Sequence, residues 1–261
     1  MSAKIFIINF FIIAVSFFIP ITARAGSDET ALLAASYKGN AESVNQLIKN
    51  GVNVNFQDKK GQTALMFACN ENHVNIIKIL VDNKANLDLQ DNVRGWTALM
   101  YAWKNGNAES VKSLKILIDN KANLDLLDKE QGWTALMFAC SLGKTDIVKI
   151  LAENKANLDF QDKQHGKNAL ICSCIAGNAE CIKFLLENKA NLDLQDKYGT
   201  TGLMYACDKG YTNIVKILIE NKANTGLKNN EGITAIQIAE ARNFKEIIQL
   251  FQSSPAPNTH Q

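Results

Sequence analysis

The sequence predicts an all-α repeat solenoid, and three observations predict it. A Thr-Ala-Leu-like signature recurs at Thr30, Thr63, Thr97, Thr134, Asn168, Thr201 and Thr234, with intervals of 33, 34, 37, 34, 33 and 33 residues. A period in that range marks stacked repeats rather than one globular core. Eleven of the 15 glycines fall in two columns at fixed distances from that signature. Only three prolines occur, and Pro255 and Pro257 lie in the last seven residues, so almost nothing between Gly26 and Gln252 breaks a helix.

Every unit is built in the same order. Its Thr hydroxyl can accept a hydrogen bond from an unpaired amide of the first helical turn, and Asn168 can do the same. A short apolar segment follows, for example Leu203 to Cys207. Nine residues after the cap stand Gly39, Gly106, Gly143, Gly177 and Gly210, with Asn72 and Asn243 in the remaining units. Glycine and asparagine best tolerate a left-handed backbone, so this column is a forced turn. The second apolar segment, such as Ile214, Val215, Ile217, Leu218 and Ile219, then returns as an antiparallel helix. Before the next cap comes a connector holding Gly61, Gly95, Gly132, Gly166, Gly199 or Gly232 and a turn-forming Asp column: Asp58, Asp91, Asp128, Asp162 and Asp196.

These residues, above all Thr63-Ala-Leu-Met-Phe-Ala, Thr97-Ala-Leu-Met-Tyr-Ala and Thr134-Ala-Leu-Met-Phe-Ala, resemble the ankyrin repeat family over residues 28 to about 252. The resemblance implies seven stacked units, each an inner helix, a tight turn, an outer helix and a hairpin-like finger, starting near 28, 61, 95, 132, 166, 199 and 232. Neither helix of a unit buries its apolar face alone, so each unit packs on its neighbours. The end units carry Ser43, Asn45 and Gln46, and Gln237, Gln249 and Gln252, as expected where one face has no neighbour.

Departures from the family pattern carry their own expectations. Alanine replaces the family proline after Thr, which keeps helix propensity. Where the family usually places glycine after the outer helix, five units have Lys84, Lys121, Lys155, Lys189 and Lys222. A lysine there suits the helix macrodipole, with Asp82, Asp119, Glu153, Glu187 and Glu220 balancing its charge; the alternative is a binding strip for an acidic partner. The 37-residue unit has a longer outer helix and Trp103 where other units place Ser36, Cys69, Cys140, Cys174 or Cys207. Such a ring needs a displaced or lengthened outer helix to fit.

Residues 1–25 read as a signal peptide: Lys4, the apolar stretch Ile5 to Ile19, and Ala23-Arg24-Ala25 before Gly26. The apolar stretch is shorter than the roughly 20 residues that span a bilayer. The mature repeat domain, 26–252, is formally neutral with 26 basic and 26 acidic residues, and 253–261 reads as a disordered tail. No charge block points to nucleic acid or an anionic membrane as partner.

Catalytic and metal-binding patterns are absent from the sequence. Cys172-x-Cys174 lacks the spacing and companions of a zinc site, and cysteines in one repeat column stand too far apart to bridge, which leaves Cys174 with Cys181 as the one open pairing. His73, His165 and His260 are scattered, and no nucleophile, phosphate-loop or dinucleotide motif occurs. The expectation is a monomeric, cofactor-free, non-enzymatic scaffold, exported to the periplasm or secreted, that binds a protein. A structural or protective envelope protein and a secreted effector acting on a host protein are the alternatives. The resemblance implies that the partner lies on the concave face of fingers and inner-helix ends: Trp96 and Trp133 before the caps, Asn92, Val93, Arg94, Lys129, His165, Lys167 and Tyr198 in the fingers, and Tyr37, Asn70, Lys104, Ser141, Leu142, Ile175 and Asp208 at the helix ends. Aromatic and Arg side chains are the usual interface anchors, and finger-to-finger packing is the alternative role for Trp96 and Trp133.

Overall fold

A computed structural model describes residues 21–103 and 107–253. The leader over 1–25 therefore lies largely outside the described residues, as do Lys104, Gly106 and residues 254–261 of the tail. The described residues form fourteen helices: α1 (Ile21–Lys38), α2 (Ala41–Lys49), α3 (Ala64–Asn70), α4 (Val74–Asp82), α5 (Ala98–Trp103), α6 (Ala108–Asp119), α7 (Ala135–Ser141), α8 (Thr145–Glu153), α9 (Ala169–Ala176), α10 (Ala179–Glu187), α11 (Gly202–Lys209), α12 (Thr212–Glu220), α13 (Ala235–Ala241) and α14 (Lys245–Ser253). Odd-numbered helices form the inner layer and even-numbered helices the outer one. Each packs on its unit partner and on the equivalent helices of adjacent units. One continuous core runs from Leu32 to Ile247 between the two layers. None of the described helices is long and apolar enough to cross a membrane.

The caps form as the sequence requires. The side chains of Thr63, Thr97, Thr134, Asn168, Thr201 and Thr234 each accept from the amide three residues on, at 2.9–3.5 Å. Thr30 is the exception. It lies inside α1, and its hydroxyl donates back to Gly26 O and Ser27 O, both at 2.9 Å. The described residues just before it, 21–29, are helical and form no finger, so the chain does not turn at Thr30.

The turn column is left-handed throughout its described members, from φ 58° at Asn72 and Asn243 to φ 79° at Gly39 and Gly177. Sterics between units add to the demand for glycine. A Cβ at Gly39 would stand 2.7 Å from the His73 ring, whose Nε2 pairs with Tyr37 O at 3.0 Å.

The lysine row has a conformation that the sequence alone did not reveal. Lys84, Lys121, Lys155, Lys189 and Lys222 all have φ between 63° and 69°. After α4, the Lys84 amide donates to Val81 O at 2.9 Å and the Ala85 amide to Leu80 O at 3.0 Å. This double bond pattern closes a helix with a left-handed residue. The expected charge balance differs as well. Among the described residues none of these lysines forms an ion pair, and Glu153 and Glu220 instead face Lys149 and Lys216 one helical turn back, at 4.0 and 3.9 Å.

All six cysteines are free and buried, and Cys181 Sγ lies 3.7 Å from Thr145 Oγ1 rather than bridging Cys174. Burial raises every thiol, Cys172 and Cys207 to about 12, and the thiolate is the reactive form. An aromatic disulfide reagent is therefore expected to label none of the six in the native protein within minutes and all of them after unfolding. Rapid native labelling of even one cysteine would contradict this assignment.

Candidate functional site

The finger layer is built by carboxylates that point inwards. Asp91 accepts from the amides of Val93 (2.8 Å), Arg94 (2.6 Å) and Trp96 (3.1 Å), and also from Tyr101 Oη (3.1 Å). Asp196 repeats this with Tyr198 N, Thr200 N and Tyr205 Oη. Burial, reinforced by the carboxylate, holds both phenols above their ordinary value, so they remain donors. The Asp column is thus a turn-forming set, and its charge is consumed by the finger backbone.

Side-chain ladders register each finger on the next. Gln57, Gln90, Gln161 and Gln195 each donate Nε2 to a carbonyl of their own finger and to one of the following finger, at 2.5–3.1 Å. A second ladder follows the outer helices, where Asp88, Asp125, Asp159 and Asp193 each accept from the next unit's Asn amide at 2.8 Å. Backbone bonds join successive fingers, as from Lys129 N to Arg94 O at 2.7 Å and from Lys197 N to His165 O at 2.8 Å. The finger holding Asp128 lacks both links to the one after it: Leu127 occupies the Gln column, Lys163 N has no equivalent bond to Gln131 O, and Gln131 Oε1 is buried without a partner. Leu127→Gln is expected to add about 1 kcal/mol of stability by restoring one ladder rung, measured by urea unfolding. A destabilisation would show that Leu127 contributes more through packing.

Helix packing loosens one unit earlier. The backbones of α5 and α7 approach each other less closely along their length than any other successive inner pair. Trp103, 3% exposed, fills that space, stacked on Phe138 with ring centroids 5.5 Å apart and planes at 20°. The 12-residue α6, longer than the other outer helices, accommodates it. Trp96 packs on Trp103, Tyr101 and Phe138 at 5.9, 5.4 and 5.8 Å, and Trp133 packs on Phe138 at 5.2 Å. Phe138 thus joins the two half-buried tryptophans into one aromatic group.

The sequence-derived site residues divide by accessibility. Tyr37, Val93, Leu142 and Tyr198 are 52%, 67%, 58% and 58% exposed. Asn92, Arg94 and Lys129 are exposed on the fingers, while Asn70, Ser141, His165, Lys167 and Ile175 are half-buried. Lys104 lies outside the described residues. Lys129 Nζ is turned onto the Asp91 and Asn92 carbonyls at 3.4 Å, and Asp208 is taken up by Arg242 at 2.6 Å. Four of these residues, Tyr37, Asn70, Val93 and Arg94, meet around a cavity of about 320 Å³ with Lys60, Gln62, Met66, Phe67, Asp91 and Tyr101. Sequence reasoning missed Lys60, Gln62 and Phe67. Their signal was present, since Lys60 and Gln62 occupy the same finger positions as Arg94 and Trp96. Among the described residues no group of His, Cys, Asp and Glu could hold a metal ion.

The geometry is that of an α-solenoid scaffold, a continuous stack whose variable side chains are presented along one row of fingers and helix ends. Family models described as ankyrin repeats match residues 31–115, 109–196 and 185–239, and the chain belongs to the ankyrin repeat family. It is similar to the ankyrin repeat domain of human ASB11 (26% identity, TM-score 0.68, covering 86% of this chain and 99% of that one). The fold is also that of the ankyrin repeat domain of Bcl-3 (24% identity, TM-score 0.77, covering 85% and 98%). Among curated proteins it is 38% identical over 96 residues to mouse (Mus musculus) ankyrin repeat and SAM domain-containing protein 6, covering 35% of this chain and 11% of that protein. It is 37% identical over 87 residues to the Arabidopsis thaliana E3 ubiquitin-protein ligase XBAT33, covering 33% and 17%. The matched segments are thus a small part of these longer relatives. Ankyrin repeats generally mediate protein–protein interaction and are typically non-enzymatic.

Proposed function

We propose that the protein is an exported scaffold that binds a partner protein through the concave face of its fingers and inner-helix ends. One observation carries this reading: the large apolar side chains that stand exposed among the described residues, Tyr37, Val93, Leu142 and Tyr198, all sit on fingers or at inner-helix ends. The outer helices present paired charges instead, such as Lys112 with Glu109 and Lys183 with Glu180. Exposed apolar groups on one face gain free energy when a partner covers them, and aromatic members dominate such interfaces. The aromatic group around Phe138 favours a specific binder over an envelope protein with a uniform polar surface. Export rests on the leader-like pattern of residues 1–25, and N-terminal sequencing of the exported form is expected to begin at Gly26.

The face is tested by the double variant Val93→Asp/Leu142→Asp. Both side chains are largely in water, so stability should change by under about 0.5 kcal/mol each. A partner captured by the unaltered protein should then be lost from the variant at unchanged melting temperature. Retention of that partner would place binding on another surface.

A further inference from the structure

The cavity between the first two fingers has a chemistry of its own. Tyr37 and Phe67 meet edge-to-face at 6.1 Å on one side, and exposed Val93 lines the other. Two cations, Lys60 and Arg94, share the lining. The carboxylate among them, Asp91, is 1% exposed, and its oxygens already accept three amides and a phenol. Neither cation has a carboxylate partner among the described residues. The Arg94 guanidinium lies 4.9 Å above the Trp96 ring, which leaves its edge N–H groups free to donate. This distinguishes the pair from Lys129 and Lys197, whose ammonium groups are turned onto carbonyls of the preceding finger.

We propose that this cavity binds an acidic segment of the partner, an extended peptide that places an Asp or Glu carboxylate between Lys60 and Arg94 and an adjacent apolar side chain against Tyr37, Phe67 and Val93. The proposal rests on the finger-face reading above and adds the class of peptide. Charge complementarity selects the occupant. A cationic segment would face two unpaired positive charges, whereas a carboxylate gains both, with the planar fork of Arg suited to its two oxygens. The apolar walls supply the larger part of the contact and exclude water from the pair. Because both charges lie at the protein surface, binding should weaken as salt shortens the screening length from about 10 Å at 0.1 M to about 3 Å at 1 M.

The test is selection of a random peptide display library on the purified protein, followed by titration of the enriched peptides with Trp fluorescence as readout, since Trp96 stacks under Arg94. The expected peptides pair Asp or Glu with a neighbouring apolar residue. They should bind at least fivefold more weakly to Arg94→Gln and to Lys60→Gln, lose affinity when their acid is changed to the amide, and be unaffected by Lys112→Gln on the outer-helix side. Enriched peptides without an acid that lose binding to Val93→Asp or Tyr198→Ala would overturn the peptide class while keeping the face. Peptides indifferent to every one of these substitutions would overturn both readings, and no enrichment at all would overturn the cavity as a peptide site. A phosphoserine version that binds more than tenfold tighter than the Glu version would overturn the carboxylate assignment in favour of phosphate. Circular dichroism melting of Arg94→Gln and Lys60→Gln should match the unaltered protein, because neither side chain holds the fold.

Discussion

Glycine at Lys84, Lys121, Lys155, Lys189 and Lys222 together is expected to raise the unfolding free energy by roughly 2 kcal/mol. Each lysine holds φ near +65° in the bond pattern that ends an outer helix. A side chain with a Cβ is strained there by about 1–2 kcal/mol, which glycine relieves. Against that gain, glycine adds conformational freedom to the unfolded chain and removes a cation from a helix C-terminus, where it contributes about 0.3–1 kcal/mol. The net is at most about 0.5 kcal/mol per site, and sites a full repeat apart add nearly independently. In urea the midpoint should rise with little change in slope, and the melting temperature should rise by about 5 °C. A companion set with alanine separates the causes: it keeps the strain and loses the charge, so it should be neutral or slightly destabilising. If glycine and alanine destabilise equally, the cation matters more than the backbone, and the macrodipole reading of this row is the correct one.

That row shows what the sequence made legible. Caps at Thr63 or Thr201 and left-handed turns at Gly177 or Asn243 are local demands, visible in a single unit because a hydroxyl or a missing Cβ answers them directly. The left-handed lysines were legible only by comparison with the glycine usual at that place, since lysine itself carries no signal for positive φ. Bonds between units were hidden for a different reason. The rung from Gln90 to Leu127 O spans 37 residues and the one from Asn123 N to Asp88 spans 35, although the repeated Asn-Leu-Asp at 86–88, 123–125, 157–159 and 191–193 was their visible trace. Thr30 shows the converse, because a cap residue forms a cap only when the preceding segment turns the chain. At the candidate face, Tyr37, Val93, Leu142 and Tyr198 were legible as variable positions. The cavity that joins Tyr37 to Phe67 and Lys60 needs two neighbouring fingers and was not.

Trp103→Ala is expected to cost about 3–5 kcal/mol, the range for deleting a fully buried indole. The ring is 3% exposed, stacks on Phe138 and touches Trp96, so it supports both half-buried tryptophans of the finger face. Its Nε1 has no hydrogen-bond partner among the described residues, so the loss is one of packing and buried apolar area rather than of a polar contact. Trp103→Cys is the sharper experiment, because cysteine is the residue that four other units place in this column. If α5 and α7 are held apart by the length of α6 and by the finger bonds on either side, cysteine leaves a cavity and costs nearly as much as alanine. If the ring alone props the seam open, the helices close on the smaller side chain and the cost falls below about 1 kcal/mol, as for a well-repacked core. Trp96→Ala/Trp133→Ala should cost less stability than Trp103→Ala, about 2–3 kcal/mol, since both rings are only half-buried, and should reduce partner affinity in protein that is still folded. Should the double variant keep full affinity while Trp103→Ala abolishes it, the aromatic group acts by shaping the seam, and the contact surface lies at Val93, Leu142 and Tyr198.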